Sequence, residues 1–235
     1  MSDTRLQQIR ESERKSHIET YSNETLYQEN SWLRKPIKTV LEILPLFEGY
    51  EELNVLDLGC GVGRNCLTIA EHFKDISCTI ECVDILELAI EKLQENAKTQ
   101  GVADSIKGIV ASIEEYPLEE EKYDLVLAVS ALEHIDTRDS FQKKLGEIRH
   151  GMRKGGVVCL VINSNVTEMD KATGEQLEPQ FEVNLPIQDL QALLRKGFTG
   201  WEILKSTVRS QQYDIPRECG LSELRTDVVT FVARK

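Results

Sequence analysis

The sequence predicts a doubly wound α/β fold, a mostly parallel seven-stranded sheet with helices on both faces and an antiparallel hairpin at its C-terminal end. Three observations lead there. From Leu53 onward, short apolar runs alternate with amphipathic stretches. Two of the runs, 123–129 and 156–163, are almost continuously apolar, as strands covered on both sides should be. The last two strands have no helical stretch between them, so they should pair with each other.

The elements follow in order. Residues 1–30 are polar and helix-prone, with apolar positions too sparse for a strong core face. A better helix is expected where Trp32, Ile37, Val40, Leu41 and Leu44 recur at helical spacing, with Pro36 in its first turns. Strands are predicted at 53–58, 78–83, 106–110, 123–129, 156–163, 201–209 and 226–233. Helices are predicted at 63–73, 86–100, 137–149 and 187–196. Residues 164–186, punctuated by Gly174, Pro179 and Pro186, read as an insertion. The expected organisation is an N-terminal helical segment, 1–35, before one domain spanning 36–235.

Composition narrows the classes. Of 235 residues, 40% are apolar and 29% charged, which suits a globular chain able to bury a core. Forty acidic against 28 basic residues leave a net charge of -12, a field that repels nucleic-acid backbones and anionic lipid. No apolar run reaches the ~20 residues of a membrane helix, and residues 1–15 lack the apolar centre of a secretory signal. The six cysteines, Cys60, Cys66, Cys78, Cys82, Cys159 and Cys219, form no Cys-x-x-Cys pair, so no metal site is expected. Reduced thiols and a cytoplasmic location are the economical expectation.

The chemistry concentrates in Val55-Leu-Asp-Leu-Gly-Cys-Gly-Val-Gly-Arg-Asn65, a strand running into a glycine-rich turn and then a helix. Glycines 59, 61 and 63 allow a tight turn and close approach of a ligand, with free amides expected where the helix begins. Asp57 precedes them, and the spacing is Gly-x-Gly-x-Gly rather than the dinucleotide Gly-x-Gly-x-x-Gly. A pyrophosphate would be repelled by that carboxylate, whereas a ligand carrying an ammonium and a sulfonium would be attracted.

Asp-x-Gly-x-Gly-x-Gly after an apolar strand resembles the first motif of the class I S-adenosylmethionine-dependent methyltransferases. Leu56 to Asn65 and the ending Thr230-Phe-Val-Ala-Arg-Lys235 resemble, more narrowly, the tellurite-resistance (TehB-like) small-molecule branch. The resemblance implies S-adenosylmethionine as cofactor, with Asp57, Gly59, Cys60, Gly61, Gly63, Arg64 and Asn65 around its methionine part. It implies Asp84, closing the second strand, as acceptor for the ribose hydroxyls; a cap on the following helix is the other reading. Ser112 stands where such enzymes usually carry the Asp that holds the adenine amino group, with Ile85 and Ile113 placed to sandwich the ring. Val129 and Ser130 begin the loop expected beneath the methionine part. Tyr27 and Trp32, with Tyr21, belong to a segment expected to fold over the cofactor as a lid, where aromatic faces can meet a sulfonium.

No catalytic residue is assigned; Glu133 and His134 are the candidates, because methyl transfer to a ready nucleophile requires alignment more than a base. The expected activity is methyl transfer to a small-molecule acceptor, with no membrane or nucleic-acid partner and with the oligomeric state left open. The alternatives are a methyltransferase acting on RNA or protein, and a catalytically idle S-adenosylmethionine-binding domain. The sequence offers the first no Asn/Asp-Pro-Pro-aromatic loop and no basic run.

Overall fold

The computed structural model describes residues 3–29, 31, 33–217 and 220–235. Its strands are β1 (Glu52–Leu58), β2 (Ser77–Asp84), β3 (Ile106–Val110), β4 (Tyr123–Val129), β5 (Met152–Asp170), β6 (Gln176–Leu177), β7 (Glu202–Arg217) and β8 (Gly220–Arg234). Its α-helices are α1 (Asp3–Asn23), α2 (Lys38–Ile43), α3 (Cys66–His72), α4 (Glu87–Gln100), α5 (Arg138–Gly151) and α6 (Ile187–Gly197). The sheet runs β3-β2-β1-β4-β5-β8-β7, and the short β6 pairs with the end of β5. The first five strands along that path are mutually parallel, and β8 and β7 join them antiparallel.

The near-continuous apolar runs are explained by burial on two sides. Leu53, Val55, Leu125, Leu127, Val157 and Cys159 pack with α2, α3 and α4 on one face. Their alternating neighbours Leu56, Leu58, Val126, Ala128, Val158 and Leu160 pack with α5 and α6 on the other. Two faces of one sheet, read along a strand with period two, favour apolar residues at both alternating positions. The helices carry the matching 3.6-residue stripe: Ala89, Ile90, Leu93 and Ala97 are the buried positions of α4. Gly101, at φ 71°, ends that helix in the left-handed conformation.

Three boundaries depart from the expected ones. The helix anticipated from Trp32 is confined to Lys38–Ile43 and continues as a 3-10 turn to Phe47, with Pro36 ahead of it. The helix after the glycine turn begins at Cys66, so Arg64 and Asn65 belong to the turn. Residues 164–170, expected as the start of an insertion, are strand. Beyond β4, whose last paired residue is Val129 opposite Val161, β5 continues to Asp170 beside β8, and β7 follows β8 to Arg217. Because β5 runs parallel to β4, this three-stranded ribbon rises past the carboxyl edge of the sheet.

One buried ion cluster holds the β2–β3–β4 side. Glu81 accepts hydrogen bonds from Lys107, Lys122, Tyr116 and Tyr123. Burial opposes its charge, but those four donors outweigh the burial and draw its carboxyl down to about 2. A depressed carboxylate stabilises above its ordinary value and loses that contribution as pH falls through the folded value. Acid unfolding between about pH 4.5 and 2 should therefore be steeper for wild type than for Glu81→Gln. Parallel curves would show that the cluster contributes no pH-dependent stability.

Candidate functional site

Register places four loops at one edge. Leu58 lies opposite Val83 and Ala128, Asp84 opposite Val110, and Val129 opposite Val161. The segments that follow, 59–65, 85–86, 111–117 and 130–134, therefore leave the sheet side by side. This is the edge where open α/β sheets bind ligands.

The glycine turn is shaped by contact as much as by backbone freedom. Gly59, Gly61 and Gly63 have φ values of 73°, 53° and 99°. A β-carbon at Gly59 would collide with the methyl of Ala131. At Gly61 it would lie 2.8 Å from the Tyr21 hydroxyl, and at Gly63 2.6 Å from Leu93 Cδ1. The N–H groups of Gly59 and Cys60 donate to Val83 O, that of Gly63 to Cys60 O and that of Gly61 to Asp84 Oδ2. These four amides are spent inside the protein.

Two carboxylates stand at that turn. Asp57 is 1% exposed and its Oδ2 has no hydrogen-bond partner. Burial pushes its carboxyl up to about 7, and the Asp84 charge adds to the rise, while the Cys66 thiol and Arg64 oppose it. A buried oxygen with an empty lone pair is costly unless a donor reaches it. Asp84 is held by Gly61 N–H on Oδ2 and by Leu86 N–H on Oδ1, each at 2.9 Å. It is not the cap of α4, whose N-cap position is Leu86. Burial pushes the Asp84 carboxyl up as well, against its backbone hydrogen bonds.

The apolar candidates split. Ile85 is 59% exposed, a large apolar side chain presented at the ligand edge. Ile113 is half-buried, its Cδ1 3.8 Å from a β-carbon built at Gly59. Ser112 Oγ accepts from Glu115 N–H at 3.2 Å and so closes its own turn. Val129 ends β4, and Ser130 takes a left-handed φ of 51° while donating its N–H to Val161 O.

The N-terminal segment crosses this edge. Tyr21, on α1, is buried against the glycine turn. Tyr27 donates its hydroxyl to Arg64 O at 3.2 Å and pairs with Thr68 at 2.9 Å, which anchors the segment to α3. Asn65 Oδ1 accepts from Ile37 N–H, joining the turn to the chain leading into α2. Burial lowers the Arg64 pKa, with Tyr21, Asp57 and Tyr27 opposing the shift. Cys60 is buried and its thiol is pushed up to about 12, so it acts as packing. Trp32 and Cys219 lie outside the described residues.

Glu133 and His134 have separate environments. Glu133 is wholly buried; Oε1 accepts from the backbone and side-chain N–H groups of Asn163 at 3.0 and 2.6 Å, and Oε2 has no partner. His134 Nδ1 is 3.0 Å from Glu182 Oε2, and the ring stacks on Phe181. Burial works against the imidazolium, but Glu182, Glu133 and Glu13 overcome it and raise its pKa to about 9. At neutral pH His134 is a cation donating to Glu182, and a poor general base.

Several residues here carry no sequence signal. Arg10 on α1 meets Glu114 at 3.2 Å and Glu182 at 3.8 Å. Arg217 on the ribbon grips both carboxylate oxygens of Glu168 and reaches Gln180, which also accepts from Ser12 of α1. These pairs join segments 37 to 172 residues apart, and no spacing rule links such positions.

The family described as "Methyltransferase domain" matches residues 55–156. The chain is 29% identical over 130 residues to ajmaline N-methyltransferase of Rauvolfia serpentina, covering 55% of this chain and 42% of that one. It is 24% identical over 157 residues to sterol 4-C-methyltransferase strm-1 of Caenorhabditis elegans, covering 65% and 45%. The chain thus spans less than half the length of these curated relatives. Its fold is similar to that of TehB from Haemophilus influenzae, with a TM-score of 0.63 and 20% identity over 88% of this chain and 64% of that one. Among the described residues no helix is long and apolar enough to cross a membrane.

Proposed function

We propose that this chain, which carries a class I methyltransferase domain, binds S-adenosylmethionine at the carboxyl edge of its sheet and transfers the methyl group to a small molecule. The observation that carries the reading is the orphaned, buried Asp57 carboxylate beside a turn of three left-handed glycines. That arrangement fits the cofactor, since its ammonium can satisfy Asp57 and the side-chain-free glycines admit close approach. In this reading Asp57, Gly59, Cys60, Gly61, Gly63, Arg64 and Asn65 hold the methionine part and Asp84 the ribose. Ile85, Ser112 and Ile113 take the adenine, and Val129 and Ser130 support the methionine part from below.

When bound, S-adenosylmethionine supplies an electrophilic methyl group on a sulfonium. The chain's own work is to orient and to exclude water. Gly61 N–H and Leu86 N–H fix the Asp84 carboxylate before a ligand arrives, which lowers the ordering cost of binding. Helix α1, laid across the turn through Tyr21, acts as the lid, and Tyr27 anchors the chain behind it. The relatives named above act, by their names, on a nitrogen of ajmaline and on a carbon of a sterol, which supports a small-molecule acceptor.

Calorimetric titration tests the reading. S-adenosylhomocysteine should bind, NAD should not, and Asp84→Ala should weaken S-adenosylhomocysteine by about tenfold or more through loss of charge-assisted hydrogen bonds. NAD binding without a response to S-adenosylhomocysteine would overturn the assignment. A folded Asp84→Ala protein with wild-type affinity would leave Asp84 only its role in the turn.

The Asp57 reading has its own test. A ligand ammonium needs the carboxylate, whose folded pKa lies near 7. Affinity for S-adenosylhomocysteine should therefore rise from about pH 6 to about pH 8 and then level off (roughly one unit to either side of that pKa). Asp57→Asn should bind weakly with a flat profile over the same range. A wild-type profile as flat as the variant's would remove Asp57 from the binding site.

A further inference from the structure

We propose that the methyl acceptor is an amine whose N–H is held by Glu133, where α1, residues 178–186 and the ribbon enclose that loop through contacts at Gln180 and Val183. The proposal rests on the methyl-transfer reading above and names the substrate class of that site.

Unsatisfied polarity is the first support. Among the described residues three buried side-chain atoms lack a hydrogen-bond partner: Asp57 Oδ2, Glu133 Oε2 and Asp136 Oδ1. All three belong to carboxyl groups, which when ionised accept and do not donate. Asp57 belongs to the cofactor reading, and Asp136 sits on a chain turn tied down by Glu114 through its own N–H. Glu133 is 0% exposed with half of its carboxylate satisfied by Asn163. A donor is what its free oxygen requires.

Position is the second. Ala131, two residues before Glu133, is the residue pressed onto Gly59 of the cofactor turn. Val183 N–H donates to Glu133 O at 2.9 Å, tying the wall of the enclosure to the same loop. Glu133 thus stands where the cofactor turn and the enclosure meet.

Charge decides the class. His134, the cation facing Glu133, is paired with Glu182, and the cations of the packed segments beyond it are engaged too, Arg10 with Glu114 and Glu182 and Arg217 with Glu168. His17 lies 3.6 Å from Glu13 on α1. Although burial works against it, Glu13 is kept charged by His17, His134 and Arg217. An anionic acceptor would enter beside Glu13, Glu133 and Glu182 with its would-be partners engaged. An alcohol or thiol could donate to Oε2 and gain nothing from the field. An amine gains from both, and burial pushes the Glu133 carboxyl up, which favours taking a proton from it.

The test uses benzylamine, benzyl alcohol and benzoate, whose common ring suits the aromatic wall at Phe181 and whose heads differ in charge. Each is titrated into full-length protein saturated with S-adenosylhomocysteine. Benzylamine should bind at least about tenfold tighter than benzyl alcohol, with benzoate weakest. Glu133→Gln should bring benzylamine to the level of the alcohol while S-adenosylhomocysteine affinity stays unchanged. If that variant fails to fold, Glu13→Gln on α1 should weaken benzylamine alone by several-fold, and the wild-type ranking stands by itself. Equal binding of the three probes, a preference for benzoate, or no amine binding by protein that takes S-adenosylhomocysteine would overturn the proposal. Absence of S-adenosylhomocysteine binding would fail the methyl-transfer reading beneath it, and this inference with it.

Discussion

Gly59→Ala is expected to lower the unfolding free energy by about 2–5 kcal/mol, the sum of two separable effects. Residue 59 has a φ of 73°, where an L side chain costs about 1–2 kcal/mol. The new methyl would also collide with the Ala131 methyl, and both are fixed to backbone, so neither can rotate away. Overpacking of that kind typically costs about 1–3 kcal/mol. The two effects separate in a double-mutant cycle with Ala131→Gly, measured by denaturant unfolding. Ala131→Gly alone should destabilise modestly, and in the Gly59→Ala background it should restore about 1–3 kcal/mol, leaving the dihedral cost. Strictly additive single effects would mean that contact with the 130–134 loop does not dictate the glycine.

Arg217→Ala should be comparably damaging, and locally so. Arg217 Nε and Nη2 hold the Glu168 oxygens at 2.6 and 2.9 Å, and the Glu168 side chain is 1% exposed. Removing one partner of a buried pair leaves an uncompensated charge and costs about 3–5 kcal/mol. The ribbon protrudes beyond the sheet, so it can open without global unfolding, and hydrogen exchange should quicken in 164–170 and 220–227 before the core responds. Protection of α1 should fall too, because Gln180 bridges Arg217 to Ser12. Adding Glu168→Gln should recover part of the loss by removing the stranded charge. Unchanged exchange in both the ribbon and α1 would show that this clamp holds nothing.

How far the sequence reaches differs by segment. Runs 106–110 and 123–129 were readable to the residue because burial on both faces, or a clear turn on either side, ends the pattern abruptly. Strand β7 was readable only to Arg209. The continuation Ser210-Gln-Gln-Tyr-Asp-Ile-Pro-Arg217 has polar neighbours on both faces and a proline, which argue against a strand. It is a strand because it lies at the sheet edge, where Pro216 need not donate to a further neighbour, and because β8 extends beside it. The helix after the glycine turn was read three residues too early, since Gly63 and Arg64 continue a turn whose amides are already satisfied.

The sequence by itself determined the layered α/β architecture, the glycine turn and the presence of Asp57 and Asp84 at the carboxyl edge of the sheet. These follow from local constraints: side-chain periodicity sets which faces are buried, and positive φ at 59, 61 and 63 admits glycine at low cost. Tertiary structure alone decided that Asp84 orients on the glycine turn and that Asp57 and Glu133 each keep one unsatisfied oxygen. It alone brought Glu13 and Glu182 to His134, and Arg217 to Glu13. The reason is physical: a buried charge takes its state from whichever partners surround it, and these partners come from α1, the 178–186 loop and the ribbon, separated along the chain and joined only by packing.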